Sequence, residues 1–131
     1  MRKLAGAGGV MQVLVDTSVW IDHLHRADPD LVTLLRETRV LMHPSVLGEL
    51  ACGRLPNRQE FLSLWLALPR VAEVSFEEAL SLLENRMLWG RGLGWTDIHL
   101  LASVLVSRTM LWTRDRLLRA TAAQLRIPLK R

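Results

Sequence analysis

The chain has 131 residues, of which 50% are hydrophobic and 23% charged, and its net charge is +4. This length fits one compact domain, and this composition excludes a disordered or fibrous protein. The single cysteine excludes an intrachain disulfide, and no apolar run approaches the roughly 20 residues that a membrane helix needs, so we expect a cytoplasmic protein that does not enter a membrane.

The positive charge is concentrated near the C-terminus. Residues 108–131 carry seven basic side chains against one acid, which leaves the rest of the chain slightly acidic. A basic end of this kind attracts a polyanion such as nucleic acid. A solvated helix face explains the same charges equally well, so charge alone leaves both interpretations open.

Residues 1–10 are expected to form a flexible N-terminal extension. Arg2 and Lys3 precede an apolar stretch, which superficially resembles a signal peptide. The small residues that a cleavage site needs lie before the most apolar part, where cleavage would be useless. We therefore expect a single domain over residues 11–131, with Met11 as an alternative start.

The first half of the domain alternates strands and helices. Residues 12–15 and 39–42 are short apolar runs typical of buried strands. Between them, Asp28 and Pro29 predict the start of a helix that continues to about residue 35. Pro44 predicts the start of another helix, which ends near Gly53.

The middle of the chain continues this alternation. Asn57 is predicted to cap a helix that ends before Pro69, and residues 71–74 are predicted to form a third strand. Ser75 and Glu78 have the spacing of a capping box, which predicts a helix to about residue 89.

The last third begins with a turn rich in glycine, over residues 90–94. Thr96 is predicted to cap a helix to about residue 107, a fourth strand follows at 110–112, and Thr113 is predicted to cap a helix to about 125. Residues 127–129 complete the pattern as a short fifth strand. Short buried strands that alternate with helices predict a parallel sheet covered by helices on both faces.

Four acidic residues occupy the places where such a sheet binds ligands, beyond the carboxyl ends of its strands. Asp16 follows the first predicted strand and Asp115 follows the fourth, while Asp97 and Glu49 lie near the starts of helices. Each acid alone has an ordinary explanation as a turn, cap or surface residue. The combination of two acids after strands and two in helices is what indicates a common site.

Carboxylates gathered in one cleft repel each other, and a divalent cation relieves that cost. Mg²⁺ or Mn²⁺ prefers such oxygen ligands. When bound, the cation can polarise a phosphoryl oxygen and acidify a water molecule. The four acids therefore favour metal-dependent hydrolysis of a phosphodiester.

The sequence around each acid resembles a motif of PIN-domain proteins, especially the VapC-type toxins of bacterial toxin–antitoxin pairs. The resemblance extends over essentially the whole of residues 11–129, and the motifs occur in the family's order. The four matching segments are VLVDTSVWI (13–21), PSVLGEL (44–50), GWTDIHLLA (94–102) and LWTRD (111–115).

This resemblance implies a PIN domain over residues 11–131, folded as a three-layer α/β/α sandwich with a small parallel sheet. It implies an endoribonuclease dependent on Mg²⁺ or Mn²⁺, with Asp16, Glu49, Asp97 and Asp115 as the catalytic and metal-binding acids. Asp16 and Asp97 would be the principal ligands.

Polar and basic residues beside the acids complete the predicted site. The resemblance implies that Ser18 and Thr113 support the acids. Arg114 and Arg116 flank Asp115 in the sequence, and we expect them to contact substrate phosphates, although solvated arginines would explain their position nearly as well.

The resemblance also implies partners. These are a small VapB-like antitoxin that covers the active-site groove, an RNA substrate, a second copy of the chain in a homodimer, and operator DNA bound only through the antitoxin. Residues 61–68 are nearly all apolar, so the helix they form must be covered by the core or by a partner helix such as that of an antitoxin.

Three other functions fit the sequence less well. A haloacid-dehalogenase-type phosphatase needs a second aspartate at the position that Ser18 occupies. A catalytically inactive module that only binds RNA or a partner would gain nothing from four carboxylates that repel each other. A repressor that binds DNA directly lacks support because the sequence has no helix-turn-helix pattern.

Overall fold

Short runs of apolar residues form the central sheet in the computed structural model, which describes residues 10–131. The predicted flexible extension lies, except for residue 10, outside the described residues. None of the helices within 10–131 is long and apolar enough to cross a membrane. In chain order the elements are β1 (Val13–Val15), α1 (Thr17–His25), α2 (Pro29–Arg36), β2 (Val40–Leu41), α3 (Pro44–Ala51), α4 (Arg58–Ala67), α5 (Phe76–Asn85), α6 (Trp95–Ser107), β3 (Met110–Trp112) and α7 (Arg116–Gln124).

The central strand of the sheet is β1, with β2 on one side and β3 on the other, and both pairings are parallel. Val13 pairs with both Val40 and Met110. Successive side chains of a strand point to opposite faces, and Val13, Leu14 and Val15 are all completely buried. Helices therefore cover both faces of the sheet, which confirms the predicted α/β/α sandwich.

The predicted outer strands, at 71–74 and 127–129, are not strands in the structure. Only one parallel bridge is present at each position. Arg70, directly before the first segment, bridges Met42 next to β2, and Leu129 in the second segment bridges Leu111 of β3. A proline precedes each bridging residue, Pro69 and Pro128. Since proline has no N–H to donate, neither ladder extends toward the N-terminus of its segment. Toward residues 71–74 the first ladder ends because its partner chain enters α3 at Pro44, just beyond Met42.

Most helix starts agree with the sequence analysis. The Asp28 carboxylate accepts hydrogen bonds from the first turn of α2, and Ser75 and Glu78 form the predicted capping box of α5. α5 ends at Asn85, earlier than predicted, because Met87 adopts a left-handed conformation with φ of 51°. The sequence analysis assigned no element to α1, whose only fully buried residues are Val19 and Trp20.

Three predicted caps are wrong in detail. Asn57 precedes α4 as expected, but its side chain makes no capping hydrogen bond. The residue that precedes α6 is Gly94, not Thr96, and the residue that caps α7 is Asp115, not Thr113. The Thr113 hydroxyl is instead used by Asp16, so a residue expected to stabilise a helix contacts a predicted site acid.

Aromatic packing joins α1 to α4. The rings of Trp20 and Trp65 meet edge to face with centroids 5.8 Å apart, and both side chains are completely buried. The Phe61 ring also packs against Trp65, tilted by 33° with centroids 5.5 Å apart. This cluster fixes α1, the helix that begins directly after Asp16.

Replacing Trp20 by alanine should lower the free energy of unfolding by about 3–5 kcal/mol, because it leaves a cavity among these rings. Trp89→Ala is the matched control, since the Trp89 side chain is 54% exposed and its removal should cost little. Urea denaturation of both variants measures the difference. Equal losses would show that the Trp20–Trp65 contact does not anchor α1.

Candidate active site and metal centre

The parallel pairing of β1 with β3 brings two predicted site segments together. Val15 pairs with Trp112, and the Asp16 N–H donates to the Trp112 carbonyl over 2.9 Å. The residue after β1 therefore lies beside the loop of residues 113–115 that follows β3. Asp16 and Asp115 reach the same edge of the sheet although they are far apart in the sequence.

Two hydroxyl groups hold the Asp16 carboxylate. Ser18 Oγ donates to Asp16 Oδ2 over 2.9 Å, and Thr113 Oγ1 donates to the same oxygen over 2.7 Å. Each hydroxyl also accepts a hydrogen bond from the backbone of the 113–115 loop. The Arg114 N–H donates to Ser18 Oγ and the Asp115 N–H donates to Thr113 Oγ1, both over 3.0 Å. Asp16 is only 8% exposed, so these bonds fix a buried carboxylate.

Asp115 is the N-cap of α7. Its Oδ1 accepts the Leu118 N–H over 2.9 Å, as an N-cap side chain does. The side chain is otherwise exposed.

The other two acids belong to helices. Asp97 lies in the first turn of α6, and its Oδ2 accepts the Gly94 N–H over 2.9 Å. Glu49 lies in α3, and its Oε1 accepts the Thr17 hydroxyl over 2.6 Å. Thr17 was missed by the sequence analysis, although its position directly after Asp16 was a signal that it could serve the same site.

The four carboxylates share one property. Each has one oxygen bound to protein donors and a second oxygen without a protein partner among the described residues. A bound oxygen fixes the orientation of its carboxylate, and the other oxygen remains available to a cation. The donor set fits Mg²⁺ or Mn²⁺, since hard divalent ions prefer carboxylate oxygens. The available oxygens are Asp16 Oδ1, Glu49 Oε2, Asp97 Oδ1 and Asp115 Oδ2.

The charges of these acids act on Asp97. Burial is the largest cause that raises the pKa of Asp97 above its ordinary value, and the negative charges of Asp115, Asp16 and Glu49 raise it further. The hydrogen bond from Gly94 opposes this shift only in part. The other three predicted acids therefore all lie close enough to Asp97 to repel its carboxylate.

The acids do not yet enclose an ion. Within residues 10–131, no three Asp, Glu, His or Cys side chains already surround one point closely enough to hold a metal together. Mg²⁺ keeps several water ligands in protein sites, so a site with few direct ligands is compatible with its chemistry. Water or small movements of the exposed Glu49 and Asp115 would have to supply the remaining ligands.

The two predicted phosphate-binding arginines have different surroundings. Arg114 forms ion pairs with Asp22 and Asp28, whereas Arg116 begins α7 as an exposed side chain without an ion pair among residues 10–131. Neither Asp22 nor Asp28 was assigned to the site by the sequence analysis. A phosphate contact of either arginine stays a prediction.

The mutual repulsion predicts how the metal-free protein responds to pH. Folding raises the pKa of Asp97, so the folded protein holds this proton more tightly than the unfolded chain does. The free energy of unfolding therefore falls as the pH rises from the ordinary aspartate pKa through the raised value. Asp97→Asn removes this loss, so its Tm should exceed that of the parent protein at neutral pH and match it at acid pH.

Thermal unfolding with a chelator, between pH 3 and pH 8, measures this difference. Glu84→Gln on the exposed surface of α5 is the matched control and should show no such divergence. A Tm of Asp97→Asn that stays below the parent's at every pH would contradict the repulsion.

Known proteins resemble this chain in sequence and in fold. The PIN-domain family matches residues 13–128. Two proteins called Ribonuclease VapC32, from two strains of Mycobacterium tuberculosis, are each 48% identical to this chain over 113 residues, which cover 86% of the chain and 91% of the relative.

A crystal structure of PAE2754 from Pyrobaculum aerophilum superposes with a TM-score of 0.58 and 19% identity, and the match covers 84% of this chain and 78% of that one. At this identity the structural likeness supports the fold alone. The family match and the identity to the ribonucleases confirm the resemblance inferred from the motifs. The chain therefore belongs to the PIN-domain family and is a homologue of VapC-type ribonucleases.

Proposed function

We propose that this protein is the toxin of a VapBC-type pair, an endoribonuclease that needs Mg²⁺ or Mn²⁺. The observation that carries the proposal is a set of four carboxylates, three of which repel the fourth, Asp97. Each of the four keeps one oxygen without a protein partner among the described residues. The relatives named as ribonucleases support an RNA substrate.

The acids differ in exposure, and this difference suits a polymeric substrate. Asp16 is buried, Asp97 is half-buried, and Glu49 and Asp115 are exposed. The fixed Asp16 would hold the inner side of the metal site, while the exposed acids form an open rim that an RNA backbone can approach.

The bound cation would supply a Lewis acid for the scissile phosphoryl group and acidify the attacking water. The half-buried Asp97 must be ionised to bind the cation, so its raised pKa makes metal binding weaken as the solution becomes acidic. Water would add to phosphorus as the bond to the 3′ oxygen breaks, which leaves a 5′-phosphate and a 3′-hydroxyl.

The RNA backbone would be attracted by basic side chains next to the acids. Arg116 is exposed and adjacent to Asp115, and Arg119 lies one turn further along α7. Cations at this position offset the repulsion between the acidic cleft and phosphate, so we assign Arg116 a substrate-binding role.

A VapB-like antitoxin would cover the site. A cleft of about 310 Å³ between α1, α3 and the segment 53–56 that precedes α4 contains Glu49 in its wall, and Ile21, Leu24, Leu50 and Leu55 provide apolar lining. An amphipathic helix laid on this surface would bury the apolar residues and block Glu49 together.

The remaining expectations follow from the same proposal. Phe76 of α5 and Trp95 of α6 stack at 5.3 Å while 58% and 41% exposed, which supports a homodimer contact through these helices. Operator DNA would be bound only through the antitoxin. The proposed ribonuclease would act on RNA in the cytoplasm.

An inactive RNA- or partner-binding module is the alternative, and it gives no reason for four acids with available oxygens.

Asp16→Asn should abolish cleavage, because it removes charge from the innermost proposed ligand while an amide oxygen can still accept the Ser18 and Thr113 hydroxyls. We expect a loss of more than about a hundredfold, since even residues behind metal ligands cost about 10–100-fold. RNA cleavage with Mg²⁺, with and without chelator, measures it.

Asp30→Asn is the control for a surface acid, since the Asp30 side chain is 65% exposed. Full activity of Asp16→Asn would place the reaction elsewhere. A parent protein that neither binds Mn²⁺ nor cleaves RNA would favour the inactive module.

The ends of the cleaved RNA test the chemistry of the reaction. Attack by water predicts 5′-phosphate and 3′-hydroxyl ends, which mass spectrometry of a short cleaved RNA identifies. A substrate with a 2′-deoxy sugar at the cleaved bond should still be cut, since the proposed nucleophile is water. Cyclic 2′,3′-phosphate ends would instead show that the 2′-hydroxyl attacks.

A further inference from the structure

The loop of residues 113–115 carries two groups of the proposed site and has to be held in place. Thr113 donates to Asp16, and Asp115 contributes a carboxylate. The backbone of this loop is held from inside by the hydroxyls of Ser18 and Thr113. The third residue of the loop, Arg114, has a long side chain that contacts α1 and the start of α2.

The Arg114 guanidinium joins the loop to two other elements. One terminal nitrogen contacts Asp22 Oδ2 on α1 and the other contacts Asp28 Oδ2 at the start of α2, each at 2.5 Å. The guanidinium also lies over the Trp112 ring, 5.7 Å from its centroid. Both terminal nitrogens of the planar fork are therefore occupied by carboxylates that belong to different helices.

Asp28 is a rigid anchor for this contact. Its Oδ1 accepts the N–H groups of Asp30 and Leu31 at the start of α2, and its own N–H donates to His23 Nδ1 over 2.9 Å. Burial alone would raise the pKa of Asp28, but Arg114 and these backbone donors together hold that pKa below its usual value. One oxygen thus holds the helix and the other holds the arginine.

We propose that Arg114 is a positioning residue, which tethers the 113–115 loop to α1 and α2 so that Thr113 and Asp115 keep their places in the metal site. This role rests on the proposed function. It competes with direct binding of an RNA phosphate, but Asp22 and Asp28 already neutralise the guanidinium, and their charges repel an approaching phosphate.

The double variant Asp22→Asn/Asp28→Asn tests the tether without changing Arg114. Asparagine is as good an N-cap as aspartate, so α2 keeps its cap. We expect Mn²⁺ affinity to fall by about 10–100-fold and kcat to fall with it, while KM for RNA is unchanged. Arg114→Met should give the same defect, and combining it with the double variant should add nothing further.

Asp30→Asn is the matched control. It breaks the pair of Asp30 with Lys130, another cation over the Trp112 ring, and should alter neither metal affinity nor KM. If Arg114 binds phosphate instead, the double variant releases the guanidinium, so KM falls and Mn²⁺ affinity stays the same. That result would overturn the positioning role.

Hydrogen–deuterium exchange separates failure of this inference from failure of the proposed function. The tether predicts faster exchange in residues 113–118 of the double variant, whether or not the protein cleaves RNA. A parent protein without Mn²⁺ binding or cleavage would refute the proposed function alone. Unchanged exchange in this segment, or Mn²⁺ affinity equal to that of the parent, would refute the tether.

Discussion

The Thr113 hydroxyl makes the contact on which the rest of the site depends. It donates its proton to Asp16 and accepts the backbone N–H of Asp115, so one oxygen fixes two acids that follow different strands. Ser18 repeats this arrangement, with Asp16 as acceptor and the Arg114 N–H as donor. Because both protons go to Asp16, the 3.4 Å approach of the two hydroxyls is a packing contact.

This arrangement explains how a small protein stabilises a cluster of like charges. Backbone and hydroxyl groups donate hydrogen bonds to one oxygen of each acid. Burial and the neighbouring acids nevertheless raise the pKa of Asp97. This clustering therefore costs folding stability, and the proposed divalent cation should restore it. The Trp20–Trp65 packing provides the rigid support that such a site requires, because it fixes α1 behind Asp16.

The sequence predicted the strands and helices with strong local signals. The apolar runs before Asp16 and Thr113 were recognised, and so were the helix starts at Pro29 and Pro44. The predicted outer strands failed because their length depends on their tertiary partners: Pro128 cannot donate to the ladder beside β3, and beyond Met42 the partner of the other segment enters α3. The capping error at Thr113 arose because a hydroxyl that donates to a distant carboxylate looks, in sequence, like a helix cap. At Thr96 the helix simply begins earlier, after Gly94.

The four acids could be chosen from the sequence because each lies beside a strand end or helix start within a family motif. Their supporting contacts could not be chosen in this way. The bond from Thr17 to Glu49 and the ion pairs of Arg114 join residues many positions apart, so only the packed fold reveals them. Local pattern thus predicted the acids, whose role as metal ligands stays a prediction, and the tertiary structure shows the groups that hold them.

We propose that the unbonded carboxylate oxygens form the metal site while the bonded oxygens keep their protein partners. Anomalous diffraction from crystals soaked in Mn²⁺ tests it directly. The account predicts an ion bound directly to Asp16 Oδ1 and Asp97 Oδ1, with the hydroxyls of Ser18 and Thr113 still on Asp16 Oδ2. An ion bound elsewhere, or one that displaces those hydroxyls, would contradict it.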